Sequence, residues 1–348
     1  MNASRPKRLN RSLLLNSYQR YMAVAKREKA DILPRVPILM QFAAEHIGSN
    51  YGAFASDYRV LVEANLRCAE EFGFDQVSTI SDPYRETQGF GAEIHYVRDG
   101  VPRCVRPPLG NAKDLRLLKK PNPRRSTRML DRLRAVEAYK KAVHHTYSIL
   151  GWVEGPAAEA ADLRGVTNFL MDLVLDAPFA RELMELCVEV GIAFAKAQID
   201  AGADTIGVGD AIASQVSPDL YAEMIFPLEQ RLFEGIKTAG GLVRLHICGD
   251  TTHLVPCFAR LPVDIVDLDW QVDMAKAREI LGRGKAMVAN LDPANAVKRG
   301  TPTSIQKALR DVYKAAGNPL LAGAGCEIPP GTAAENLKAL CAPIRYQS

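Results

Sequence analysis

An alternation constrains this chain more than any other feature. Short, β-rich apolar runs recur eight times, at 36–42 (VPILMQF), 75–81, 147–153, 203–209, 241–247, 264–269, 285–290 and 319–325. Long amphipathic stretches lie between them, among them 57–73, 177–202 and 218–240, and each of these three closes on a glycine, the usual residue just past a helix end. Strand followed by helix, repeated, implies a parallel sheet with helical crossovers, and eight strands is the number that closes a barrel. The expectation is an α/β fold: a single (β/α)8 TIM barrel over residues 31–348, preceded by an N-terminal helical extension at 1–30. One segment breaks the rhythm. Residues 92–107 alternate in polarity around Arg98-Asp99-Gly100 and predict a β-hairpin inserted after the second barrel strand.

Composition removes several classes of function. The chain of 348 residues is 47% hydrophobic with a net charge of +4, so neither disorder nor nucleic-acid binding is called for. No window approaches eighteen consecutive apolar residues, which argues against a membrane span. The basic N-terminus has too short an apolar run (Leu13 to Leu15) for a secretory signal. Seven scattered cysteines with no C-x-x-C fit a reducing cytoplasm better than a disulfide framework. A dense run of Lys and Arg within 103–134 reads as a solvated helix face, with a docking surface for an acidic partner as the lesser alternative.

In such barrels chemistry gathers where strands end. The residues there are Asp82, Glu154, Asp210, the trio His246, Cys248 and Asp250, then Asp269, Asn290 and Cys326 with Glu327. Asp250, just before a helical pattern, suits an N-cap. Asp269, Asp210 and Glu154 are catalytic candidates; Asp82 and Asn290 are candidates for binding substrate. His246 and Cys248 sit two apart on one strand and so point the same way. Alone, such a pair is more often a core histidine beside a core cysteine. A second cysteine at the end of the eighth strand changes that, because a barrel brings all strand ends to one mouth. Two thiolates and an imidazole from His246, Cys248 and Cys326 suit Zn²⁺, with a fourth position open for substrate. Other histidines fare worse: His144 and His145 are adjacent on an expected helix and face apart, and His253 with Cys257 lies past the strand end.

These residues also carry a resemblance. The motifs LHICGDTT (245–252), ANLDP (289–293), RGTP (299–302) and AGCEIPPGTAAENLKAL (324–340), with GWVEGPAAEAADLRG (151–165) and AGADTIGVGDAIASQVSP (201–218), are similar to those of the uroporphyrinogen decarboxylase superfamily. Within it the chain resembles the zinc-dependent corrinoid methyltransferases of the methylcobalamin:coenzyme M type, over roughly residues 30 to 342. True decarboxylases carry an R-Q-A-G-R-Y motif where this chain has VPILMQFAAEHIG, and a histidine where it has Cys326. The resemblance implies zinc on His246, Cys248 and Cys326, and a corrinoid (cobalamin) supplied by a separate carrier protein, since no D-x-H-x-x-G corrinoid signature is present. It implies a small methyl acceptor or donor. The ligand set favours a thiol, because coordination to zinc strips a thiol of its proton while leaving the sulfur nucleophilic. Asp269 is then a candidate placeholder fourth ligand or a partner of the ligands. The alternatives are a corrinoid-dependent demethylating component acting on a methyl ether or methylamine, and uroporphyrinogen decarboxylation.

Overall fold

The computed structural model describes residues 14–347, so the first thirteen residues of the expected extension lie outside it. The strands are β1 (Gln76–Ser78), β2 (Glu93–His95), β3 (Arg103–Arg106), β4 (Ser148–Glu154), β5 (Thr205–Gly209), β6 (Leu242–Ile247), β7 (Ile265–Leu268), β8 (Ala286–Val288) and β9 (Leu320–Leu321). Seven of them form one parallel sheet in the order β1-β4-β5-β6-β7-β8-β9, with helices in the crossovers. β2 and β3 pair only with each other, antiparallel, as the inserted hairpin.

The eighth barrel position departs from expectation. Residues 36–42 do not form a continuous strand. Arg35 bridges Ala322 and Ile38 bridges Glu327, both parallel, while the Asp75 amide donates to the Arg35 carbonyl on the other side. These links close the ring between β9 and β1. The physical reason is in the sequence: Pro34 and Pro37 have no N–H to give a ladder, so only isolated bridges survive. A helix then begins at Gln41, its amide held by the Glu327 carboxylate at 2.9 Å.

The long helices form where their punctuation places them. Tyr58–Phe72 is capped by Asp57 and stops at Gly73, whose φ of 75° is left-handed and cheap only for glycine. Ala177–Ala201 runs the length of the barrel and buries Leu183, Cys187, Val190 and Phe194 against it. The extension contributes the helix Ser17–Ala25, which has an Asn16/Gln19 capping box. Its Tyr21, Val24 and Ala25 pack with Val36, Ile265, Ala286, Val288 and Leu321. The Tyr21 hydroxyl is 2.9 Å from Thr205 Oγ1 at the start of β5, so this helix plugs the end of the barrel opposite the mouth.

Candidate metal centre

Sheet register builds the site. Glu154 on β4 pairs with Gly209 on β5, Gly209 with His246 on β6, and His246 with Asp267 on β7. Four residues thus form one row across the sheet, and in-register neighbours project to the same side. Glycine in that row makes way for the Trp152 ring edge and the Glu154 carboxylate. A Cβ on Gly209 would lie 3.1 Å from the Trp152 ring and 3.3 Å from Glu154 Oε2. One layer below, Gly207 gives way to the Trp152 ring, which a Cβ there would approach to 2.2 Å.

His246 Nε2 is 3.1 Å from Cys248 Sγ, and Cys248 Sγ is 3.5 Å from Cys326 Sγ. All three ligand atoms lie within 4.8 Å of one another, and theirs is the one such cluster found among the described residues. Tetrahedral Zn²⁺, with bonds of about 2.3 Å to sulfur and about 2.0 Å to nitrogen, holds its ligand atoms roughly 3.5 Å apart. The donor set and its spacing therefore fit zinc, and the two thiols need shift little to receive it. All seven cysteines are unpaired. The Cys248–Cys326 contact pulls Cys326 down to about 4, and it holds the other proton on Cys248.

Asp267, which sequence reasoning passed over, backs His246. Its carbonyl accepts from the Nδ1 side at 3.2 Å, and its carboxylate lies 3.5 Å from the same nitrogen. Arg244 donates to that carboxylate at 2.9 Å through Nε. This chain of partners fixes the ring so that Nε2 faces the thiols. Only the β6/β7 register reveals it, and register cannot be read from the sequence.

The cavity beside the cluster measures about 200 Å³. Its walls include Ile38, Met40, Ile80 and Trp152, together with Asp82, Arg85, Glu154 and Glu327. Asp82 faces it but is engaged by Ser81, the Tyr84 amide and Arg128. Most of the basic run is exposed, as a solvated face should be, but Arg128 and Arg132 are exceptions. They are 2% and 0% exposed, and Arg132 pairs with Asp131. The helix Thr127–Val143 carries both on its inner stripe beside Met129, Leu133 and Val136. That i, i+4 placement within an apolar stripe was the available signal. Arg85 went unnoticed as well. It is buried against Glu154, Glu86 and the Asp82 carbonyl.

Three site candidates lie beside the cavity and do not line it. Asp210 gives both carboxylate oxygens to the helix that follows β4, accepting from Ala157 N at 3.2 Å and Ala158 N at 2.7 Å. Asp269 Oδ2 accepts from Gly249 N at 3.0 Å, which fixes the loop carrying Cys248, and its oxygens fall outside the ligand cluster. Asn290 donates to the carbonyls of Asp269 and Val272 and so ties down the same region. Among the histidines set aside, His144 and His145 lie beyond the helix end at Val143, not on it, and stack with ring centroids 3.8 Å apart. His253 is 3.0 Å from the Val216 carbonyl.

Burial sets the acidity of the carboxyl groups around the cavity. Glu154 is pushed up to about 8 by burial and by Glu86 and Asp162, against the pull of Arg85. Burial raises Asp210 to about 7. Among the described residues no helix is long and apolar enough to cross a membrane.

The comparisons agree with this architecture. The family model described as uroporphyrinogen decarboxylase (URO-D) matches residues 16–346. The chain is 26% identical to a methylcobamide:CoM methyltransferase of Methanosarcina mazei over 88% of its own length and 91% of the relative's. It is 25% identical to a uroporphyrinogen decarboxylase of Trichormus variabilis over 83% and 86%. A solved methyltransferase from Methanosarcina mazei superposes with a TM-score of 0.87 at 22% identity, covering 94% of this chain and 98% of that one. With the family model spanning nearly every described residue, this chain belongs to the uroporphyrinogen decarboxylase family.

Proposed function

We propose that this protein is a zinc-dependent methyltransferase that moves a methyl group between a corrinoid on a separate carrier protein and a small substrate, a thiol in the favoured case. One observation carries the reading: His246, Cys248 and Cys326, from two strand ends far apart in sequence, converge with spacing suited to zinc and an open side toward a small cavity. The printed activity of the Methanosarcina mazei relative, transfer from a methylcobamide to CoM, supports the same class. Zinc held there would acidify a coordinated thiol and keep its sulfur nucleophilic at neutral pH.

The chain's own residues do the rest. Asp267 and Arg244 hold the His246 ring. Asp269 fixes the Gly249 turn behind Cys248. Gln41 N pins Glu327 beside Cys326. Ile38, Met40, Ile80 and Trp152 give the substrate a dry apolar bed. The cavity of about 200 Å³ beside the ligands has room for a small thiol.

The test is direct. Purified protein should hold one zinc per chain by elemental analysis, and Cys248→Ala and Cys326→Ala should each lose most of it while keeping their circular dichroism. Zinc-loaded protein with methylcobalamin and a thiol should lose the methyl-Co(III) absorbance in a zinc-dependent manner. Full zinc retention in both variants overturns the ligand assignment. Turnover of a methoxyarene or methylamine with Co(I), but not of any thiol, would make the chain a demethylating component instead.

A further inference from the structure

Glu154 stands across the cavity from the ligand cluster, in the same row as His246, with only Gly209 between them. Strands lie ~4.8 Å apart, so the two backbones are separated by roughly 10 Å, and Glu154, Gly209, His246, Cys248 and Cys326 all line the one cavity between them. Arg85 donates to Oε1 of Glu154, while Oε2 lies on the Gly209 side, in the space the missing Cβ leaves beside the Trp152 ring. The Glu154 amide donates to Glu86 Oε1 at 3.0 Å, so main chain and side chain are both fixed. Of the other charged walls, Asp82 is held by Arg128, Arg85 by Glu154, Glu86 and the Asp82 carbonyl, and Glu327 accepts from Gln41 N through Oε1.

Resting on the methyltransferase reading, we propose that Glu154 is the proton-transfer residue of the reaction, exchanging a proton through Oε2 with the substrate heteroatom that sits between it and His246, Cys248 and Cys326. With a thiol as acceptor, the S–H bond breaks and its proton passes to the Glu154 carboxylate. The S–C bond forms, the Co–C bond of the methylated corrinoid breaks, and its electron pair stays on cobalt, which goes from Co(III) to Co(I). In the opposite direction Co(I) supplies the pair that forms the Co–C bond. The departing sulfur or oxygen then takes its proton from the Glu154 carboxyl. Arg85 is a positioning residue: it holds Oε1 and turns Oε2 to the cavity.

The charged groups facing Glu154 are Arg85, Glu86 and Asp162, with Asp82 and its partner Arg128 beyond. Burial with Glu86 and Asp162 outweighs Arg85 and places its titration at about 8, where a group both gives and takes a proton readily at neutral pH.

The experiment uses zinc-loaded protein, methylcobalamin and 2-mercaptoethanol, followed from pH 6 to 9.5 in wild type, Glu154→Gln and Glu154→Asp. In wild type, kcat for thiol methylation should rise with a midpoint near 8. Glu154→Gln should keep its zinc and KM but lose about 10²-fold or more in kcat, and with it that limb of the profile. Glu154→Asp, which keeps a titrating carboxyl, should retain the limb at reduced rate and guards against a folding defect in the amide variant. Independently of turnover, infrared difference spectra on adding the thiol at pH 7 should show a carboxyl C=O band that shifts in wild type and is missing in Glu154→Gln. If Glu154→Gln transfers methyl within twofold of wild type with an unchanged profile, or the shifting band persists in it, the proposal is overturned while the methyltransferase reading stands. If wild type transfers no methyl in either direction, the reading falls and takes the proposal with it.

Discussion

Asp210 offers a quantitative test, because a strand-end carboxylate in a barrel invites a catalytic role while its contacts assign a structural one. Its side chain lies over Gly155, where a Cβ would come within 2.5 Å, and it caps the helix Pro156–Arg164 through two backbone N–H groups. Glu229 faces it, also buried and bonded to the Tyr221 hydroxyl. Burial raises Asp210 from 3.8 to about 7 and pushes Glu229 well above its ordinary value, so the two titrate as a unit and hold at least one proton at neutral pH. Both groups bind protons more tightly folded than unfolded. Stability is therefore greatest below the unfolded carboxyl range and is lost as pH rises through about 7. A shift of roughly three units at ~1.4 kcal/mol each makes the loss about 4 kcal/mol for Asp210 between pH 4 and pH 8. Asp210→Asn keeps the shape and a carbonyl acceptor for one N–H while removing the titration, and it relieves Glu229 of its like charge. Urea midpoints measured at half-unit steps from pH 5 to 8 should fall in wild type and fall less in the variant, the raised carboxyls of Glu154, Asp162 and Glu327 still contributing. Methyl transfer at pH 7 by the variant should stay within a few-fold of wild type. A slope equal to that of wild type would refute the buried-proton argument. A loss of about 10³-fold in kcat with an unchanged urea midpoint would show that Asp210 touches the reacting groups after all.

Asp267→Asn should weaken zinc binding about 10- to 100-fold, read by competition with a chromophoric chelator, because the His246 ring loses its carboxylate while Arg244 is left short of a partner. Equal affinity would mean that the Asp267 carbonyl alone orients the ring. Charge reversal at the exposed Arg124 and Arg125 should raise the apparent KM for a carrier protein and flatten its salt dependence if this face docks it, and unchanged values would return these two residues to plain solvent exposure.

The parts of the fold legible in the sequence were those set by local chemistry. Glycine endings at Gly73 and Gly202 marked two helices, and the polarity alternation around residues 98–100 marked the hairpin. Period-two alternation put His246 and Cys248 on one face, and strand-end geometry brought in Cys326. Even the misjudged first strand failed for a local reason, since two prolines in 34–37 were there to be weighed against the apolar run. What stayed hidden depends on register and on long-range pairing. Asp267 and Asp269 share a strand face, and nothing local says which of them stands opposite His246.

The buried arginines carry the same lesson into chemistry. Arg85, Arg128 and Arg132 come from helices after β1 and after the hairpin, and each is tolerated inside because carboxylates meet it: Glu154, Asp82 and Asp131. A buried cation without a partner costs several kcal/mol, so each buried arginine needs its carboxylate, and the carboxylates at the mouth cannot be assigned by position alone. Asp82 and Glu154 each close a strand in the sequence, the first read as a substrate binder and the second as a catalytic group. The structure separates them. Asp82 accepts from Ser81, Tyr84 N and Arg128 and is locked in place. Glu154, met by Arg85 through one oxygen, turns the other over Gly209 toward the space beside His246. Two carboxylates at one mouth thus differ in what holds them, one locked into the wall and the other with an oxygen on the cavity side, and what divides them is where the arginines fall.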